Sequence, residues 1–253
     1  MIDTHCHLTD IRLLDQIDAV MQRAAGAGVT QIMTIGTHPA DWPACVDMCR
    51  KWSNVRAAVG VHPNYCHEAE LTDLTRLGEF LKEPGVLAVG EMGLDYFHQD
   101  APRDRQAEFF RAQLTIARDM GRPAVIHCRQ ATDDTLAIMK EFADVPAVFH
   151  CFTGSLAEVK KIVAAGYYVG FTGVVTYKNA PEVRDSAAYV PEDRILVETD
   201  APYLSPEPMR RQKINEPSLV MHTAAMVAKV RGVSVEELDR ITTGNARRLF
   251  GWN

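Results

Sequence analysis

His5, His7, Glu91, His127, His150 and Asp200 are side chains of the kinds that hold divalent cations, and each follows or ends a short apolar run. Alternate residues of a strand share a face, so in His5-Cys6-His7 the two imidazoles point together and Cys6 points away. The same parity turns Cys128 and Cys151 from the face of His127 and His150, so these cysteines read as small buried apolar groups, not ligands. Imidazoles with carboxylates suit two divalent ions of the Zn, Mn or Mg type. Such ions make water a ready nucleophile and neutralise charge on the oxygens of a phosphoryl or acyl group. Asp200 could in addition accept a proton from the attacking water. Glu198, two residues earlier on the same face, reads as a deeper hydrogen-bonding residue.

These groups need elements that bring them to one rim. Eight apolar, β-branched runs recur at 1–4, 31–35, 56–61, 86–90, 124–127, 147–150, 167–171 and 195–198, as expected of parallel strands buried on both faces. Helical patterns separate them. Residues 103–120 place Ala107, Phe110, Leu114 and Ala117 on one stripe, and Ser155…Glu158 and Ser234…Glu237 have capping-box spacing. The alternation predicts an α/β protein, a (β/α)8 TIM barrel whose functional side chains sit at the C-terminal ends of its strands. An open doubly wound sheet is the competing arrangement. Closure would set the last strand beside the first, taking Asp200 to His5 and His7. Strands four, five and six would group Glu91, His127 and His150, giving two ions that one carboxylate could bridge.

The 253 residues read as one domain, with enough chain to bury a core without disulfide or metal. A net charge of −6, from 33 acidic and 27 basic residues, argues against a broad duplex-gripping surface while allowing a local phosphate pocket. No apolar stretch approaches the ~18 residues of a membrane span. The start, MIDTHCHLTD, lacks the basic and apolar regions of a signal peptide, so a cytoplasmic location is expected. The six cysteines include no C-x-x-C pair, which removes zinc ribbons and thioredoxin-like chemistry. A monomer is the default expectation.

Read together, the motifs resemble the TatD family of metal-dependent deoxyribonucleases, within the amidohydrolase-like barrels. The likeness runs from Asp3-Thr4-His5-Cys6-His7-Leu8 through Gly60-Val61-His62-Pro63 and Gly90-Glu91-Met92-Gly93-Leu94-Asp95-Tyr96. It continues in His127-Cys128-Arg129, His150-Cys151-Phe152-Thr153-Gly154, Glu198-Thr199-Asp200-Ala201-Pro202-Tyr203, Asn215-Glu216-Pro217 and the stretch from Thr243 to Phe250. Two departures stand out: Gln130 where the family commonly has an acidic residue, and an altered run from Met209 to Ile214 before Asn215. The resemblance implies a two-metal hydrolase acting on DNA, a 3′–5′ exodeoxyribonuclease on single-stranded or frayed ends. It implies one ion on His5, His7, Glu91 and Asp200 and a second on Glu91, His127 and His150, with Asp200 and Glu91 catalytic. His62, Arg129, Tyr96 and Arg211 are the expected substrate contacts. A turn role for His62, a salt bridge for Arg129, packing for Phe97 and a solvated loop for Arg211 are the plainer readings. Hydrolysis of a small amide, lactone or ester is the rival activity, and a metal-stabilised binding module the non-enzymatic one.

Overall fold

The computed structural model describes residues 1–98 and 100–252. Eight parallel strands form one sheet in sequential order, β1 (Ile2–Cys6), β2 (Gln31–Gly36), β3 (Val55–Val59), β4 (Val86–Asp95), β5 (Ala124–Arg129), β6 (Ala147–Phe149), β7 (Tyr168–Phe171) and β8 (Ile195–Val197). A doubly wound sheet would show the strand order reversing partway; here it does not. The chain divides into two compact units, Met1–Thr34 with Cys151–Asn253, and Ile35–His150.

In the first unit β1 pairs with β2 through Ile2↔Gln31, Asp3↔Ile32 and Cys6↔Thr34. Its other edge meets the end of β8. Asp200 N donates to His5 O at 2.8 Å, His7 N donates to Ala201 O at 2.7 Å, and Cys6 bridges Ala201. The first and last strands are therefore neighbours, the closure that defines a (β/α)8 barrel. The α-helices of this unit are α1 (Ile11–Leu14), α2 (Ile17–Gly26), α7 (Leu156–Ala164), α8 (Pro181–Tyr189), α9 (Val220–Arg231) and α10 (Val235–Phe250). Both serine caps form. Ser155 and Glu158 close a full capping box at α7, and at α10 Glu237 N donates to Ser234 Oγ at 3.1 Å.

In the second unit β4 pairs with β3 on one side and β5 on the other. Its helices are α3 (Trp42–Lys51), α4 (Leu74–Phe80), α5 (Arg103–Asp119) and α6 (Thr132–Lys140). The expected stripe of α5 is buried at Phe110, Leu114 and Ala117, and half-buried at Ala107. Two buried glutamines share that helix face and hold strand ends in place. Gln113 accepts from Val61 N at 2.7 Å and donates to Val61 O at 3.1 Å, while Gln106 accepts from Asp95 N at 2.8 Å and donates to Asp95 O at 3.0 Å.

β4 runs five residues beyond its expected end at Gly90. The glycines that look like a terminator instead keep the strand going. The register with β5 shifts between Val89 and Met92, then resumes as Gly93↔His127, Leu94↔Cys128 and Asp95↔Arg129. Gly90 and Gly93 take φ of 141° and 143°, backbone that side-chain-bearing residues rarely adopt. A Cβ on Gly93 would lie 2.0 Å from His127 O. Gly93→Ala is accordingly expected to cost at least about 3 kcal/mol, from backbone strain plus a clash with a ladder carbonyl. Urea unfolding of the two proteins checks this, and a loss under about 1 kcal/mol would contradict it.

No helix among the described residues is long and apolar enough to cross a membrane.

Candidate active site

Two groups of ligand-type residues are each built within one unit. In the first, His5 and His7 project from the end of β1 and Asp200 follows β8. Asp200 Oδ1 lies 3.3 Å from His7 Nε2 and 3.6 Å from His5 Nε2. Their ligand atoms all fall within 4.8 Å of one another.

A buried layer of carboxylates beneath holds this geometry. Asp3 accepts from Thr199 N at 2.9 Å, from Thr199 Oγ1 at 2.6 Å and from His5 N at 3.4 Å, so it ties β1 to the segment carrying Asp200. Burial pushes the Asp3 carboxyl up to about 8, against those three hydrogen bonds and with Glu198 adding to the rise. Glu198 accepts from Thr4 Oγ1 at 3.1 Å and from Cys151 N at 2.6 Å. It occupies space left by Gly170, whose Cβ would come within 2.6 Å of Glu198 Oε2. Asp200 takes φ of 57°, a left-handed conformation that Asp and Asn tolerate best among residues with side chains. Asn215 of the Asn-Glu-Pro motif donates to Thr199 O at 2.9 Å and to Tyr203 O, which fixes the following loop. Tyr203 is half exposed, its ring edge-on to His7 at 5.9 Å and covered by the Arg12 guanidinium at 4.5 Å.

In the second group one carboxylate oxygen gathers three imidazoles. Glu91 Oε1 lies 2.6 Å from His150 Nε2, 2.8 Å from His127 Nδ1 and 3.4 Å from His62 Nε2. Burial alone would raise the Glu91 carboxyl. His150, His62 and His127 outweigh it and hold the group ionised, well below the usual carboxylate range. The other nitrogen of His127, Nε2, lies 3.0 Å from Asp95 Oδ2. Burial opposes the charged form of His127 too, yet its bonds to Asp95 and Glu91 raise its pKa.

His62 stands inside this cluster and not at an outer rim. Its Nδ1 accepts from Asn64 N at 3.1 Å, so the neutral ring carries its proton on Nε2 and offers a donor toward Glu91. Burial, followed by the nearness of His127, pushes His62 down to about 4, which keeps the ring neutral. The turn bond is made by Nδ1, while Nε2 faces Glu91.

The remaining expected contacts lie farther out. Arg129 is exposed, its guanidinium 4.4 Å over the ring of Phe97. Phe97 itself is 52% exposed, where packing was the plainer expectation. The Tyr96 hydroxyl donates to Asp134 Oδ2 at 2.8 Å and its ring lies under Arg103 at 3.9 Å, so this residue is engaged on both counts. Arg211 sits exposed on the 3-10 turn Met209–Arg211, with no ion-pair or hydrogen-bond partner among the described residues. Cys6 is buried, and Cys128 and Cys151 are half-buried. No cysteine enters either group of possible ligands among the described residues.

The residue missed in the sequence is Asp95. It shares parity with Glu91 and Gly93 on β4, and that i, i+2, i+4 spacing was the available signal.

The donor sets fit divalent cations on their chemistry: nitrogen and carboxylate oxygen, convergent and mostly buried, with a second carboxylate behind one histidine.

A family model described as TatD related DNase matches residues 2–251. The chain is 40% identical to the uncharacterized metal-dependent hydrolase YcfH of Escherichia coli K12, over 99% of this chain and 95% of that one. It is 34% identical to the 3′-5′ ssDNA/RNA exonuclease TatD of Erwinia amylovora, over 99% of this chain and 100% of that one. Among solved structures, the TatD homologue YjjV of Escherichia coli K12 superposes with a TM-score of 0.94 at 29% identity, covering 100% of this chain and 98% of that chain. A sequential eight-stranded α/β sheet, clustered imidazoles and carboxylates at the strand ends, and a family match across nearly every residue converge on one conclusion: the chain belongs to the TatD-related DNase family and is a metal-dependent hydrolase.

Proposed function

We propose that this hydrolase is a 3′–5′ exonuclease of DNA acting on single-stranded or frayed ends, through two divalent ions. The observation that carries the reading is the pair of ligand groups at strand ends, His5/His7/Asp200 and Glu91/His127/His150. Its support is the 34% identity to a protein named as a 3′-5′ ssDNA/RNA exonuclease. His5, His7 and Asp200 would hold one ion and Glu91, His127 and His150 the second, each Zn, Mn or Mg. Bound there, the ions supply an activated water and neutralise charge on the phosphoryl oxygens.

The chain's own groups do the rest. Asp200 accepts the proton that the attacking water releases. His62, protonated on Nε2, donates to a phosphoryl oxygen. Arg129 offers a planar fork to the next phosphate and Arg211 an exposed cation to the strand backbone. The exposed rings of Phe97 and Tyr203 take bases by stacking, which is indifferent to sequence and available only where bases are unpaired. With a net charge of −6 the surface does not favour intact duplex. The chain works as a monomeric, single hydrolase domain in the cytoplasm.

Metal-loaded enzyme is to be given single-stranded DNA labelled at either end, a matched blunt duplex, single-stranded RNA, and a panel of amides, esters and lactones. Stepwise shortening from the 3′ end is expected, with the single strand degraded at least ~10-fold faster than the duplex, since duplex ends must first unstack. Equal rates with internal fragments, or faster turnover of a lactone or amide, would overturn the reading.

A further inference from the structure

Tyr203 lies in the irregular segment after β8 and is 47% exposed. Its backbone is fixed at both polar groups: Tyr203 N donates to Asp200 O at 2.9 Å, and Asn215 Nδ2 donates to Tyr203 O at 2.6 Å. The ring stands edge-on to His7, centroids 5.9 Å apart, and His7 Nε2 lies 3.3 Å from Asp200 Oδ1. A ring this exposed would turn between rotamers in water unless a neighbour held it.

Arg12 is that neighbour, its guanidinium 4.5 Å from the centre of the Tyr203 ring. An arginine side chain is itself long and mobile, and here Asp10 immobilises it. Arg12 Nε donates to Asp10 Oδ1 at 2.8 Å and Nη2 donates to Oδ2 at 2.6 Å, a two-point fork that a lysine cannot make. Asp10 is held in turn. Its Oδ1 accepts from Arg12 N at 2.9 Å as the cap of α1, and its own N–H donates to His7 O at 3.0 Å. The relay thus runs from the backbone of His7, through Asp10 and Arg12, to a ring beside the His7 imidazole. Both oxygens of Asp10 engage this one guanidinium, so its charge is largely offset before any phosphate arrives. What Arg12 contributes is position.

We propose that Arg12, locked by Asp10, is a positioning residue that holds the Tyr203 ring as the stacking platform for the nucleobase beside the bond being cut. The inference rests on the exonuclease reading above and adds a requirement to it: the substrate carries a flat base at that place, which an aliphatic ester or lactone lacks. Stacking uses a π-face and no particular base, so the platform is indifferent to sequence. A ring already ordered loses little rotamer freedom when the base arrives.

Steady-state kinetics on single-stranded DNA separates a platform from a phosphate contact. Tyr203→Ala is expected to raise KM ~5–100-fold, the scale of one stacked base, and Arg12→Ala ~2–5-fold, the scale of one exposed cation–π contact. The Arg12→Ala loss should fall on KM and not on kcat, because it concerns binding of a part that does not react. Arg12→Lys should resemble Arg12→Ala, since it cannot form the fork. Asp10→Asn keeps the cap and loosens the fork, so it should move KM the same way and serves if Arg12→Ala does not fold. The double variant Arg12→Ala/Tyr203→Ala should have the KM of Tyr203→Ala alone. With strands abasic at the last or the next-to-last 3′ nucleotide, the Arg12→Ala effect should vanish on one of the two. Aromatic 13C relaxation of the free protein should show the Tyr203 ring ordered in the wild type and mobile in Arg12→Ala. Additive losses in the double variant, with the slope of log KM against log salt shallower by about one, would make Arg12 a phosphate contact and overturn the proposal. So would an unchanged KM in Arg12→Ala, a loss that persists on both abasic strands, or equal ring mobility in the two proteins. Failure of the exonuclease reading looks different: the wild type would shorten no strand, which removes the base platform with it, while relaxation still shows whether Arg12 holds the ring.

Discussion

Asparagine in place of Asp200 is expected to lower turnover about 10²–10⁴-fold while most of the metal stays bound, because a positioned base is worth that much. The range corresponds to roughly 3–5 kcal/mol of transition-state stabilisation. An amide oxygen still faces His7 and His5 from the position of Oδ1, but it cannot take a proton. The swap is also mild for the backbone. Residue 200 has φ of 57°, and asparagine tolerates that region as well as aspartate does. Elemental analysis alongside turnover at saturating metal separates the roles. Near-full turnover with both ions bound would make Asp200 a ligand only. An emptied site would show that its charge, and not its basicity, is what matters.

Glu91→Gln should fail in the opposite order, losing metal first and activity in consequence. Three imidazole nitrogens lie within 3.4 Å of one Glu91 oxygen, and burial leaves no solvent to replace its charge. Glutamine keeps the shape and removes the negative charge that would offset two cations, so stoichiometry is expected to fall from two ions to one or none. The accompanying loss of rate should exceed about 10³-fold, because ions that carry the electrostatic stabilisation are missing. The same elemental analysis checks this. Two ions per chain in Glu91→Gln, with Asp200→Asn emptied, would mean that the bridge and the base have been assigned the wrong way round.

Both substitutions concern residues legible from sequence, for a simple reason. Side chains able to hold a cation are few in type, so His5, His7, Glu91, His127, His150 and Asp200 stand out against apolar runs. The eight strands were legible likewise, to within a residue or two at most ends. β4 was the exception, since Gly90 and Gly93 mimic a terminator while supplying backbone conformations that the shifted register with β5 demands. What stayed hidden depends on direction and not on residue type. Nothing in the spacing shows that Gln106 and Gln113 are buried tethers and not surface residues of α5. Nothing local shows that the two nitrogens of His62 divide a turn bond from a site contact. Asp95 stays hidden within its motif, because a carboxylate behind a histidine has no signature except its parity with Glu91.

The hydrogen bonds that join β1 to the segment after β8 carry a consequence for synthesis. Asp3 and Thr199 are separated by 196 residues. At translation rates of 5–20 residues per second, roughly 10–40 s pass between their appearance. Through that interval β1 can pair with β2, but its other edge is an open strand of the sort that seeks partners in neighbouring chains. His5 and His7 meanwhile lack the carboxylate that completes their group of possible ligands. On the proposed metal sites, loading of that half would be a late event in the life of each molecule, and a nascent chain stalled before residue 200 would offer only the group within Ile35–His150 as a finished set.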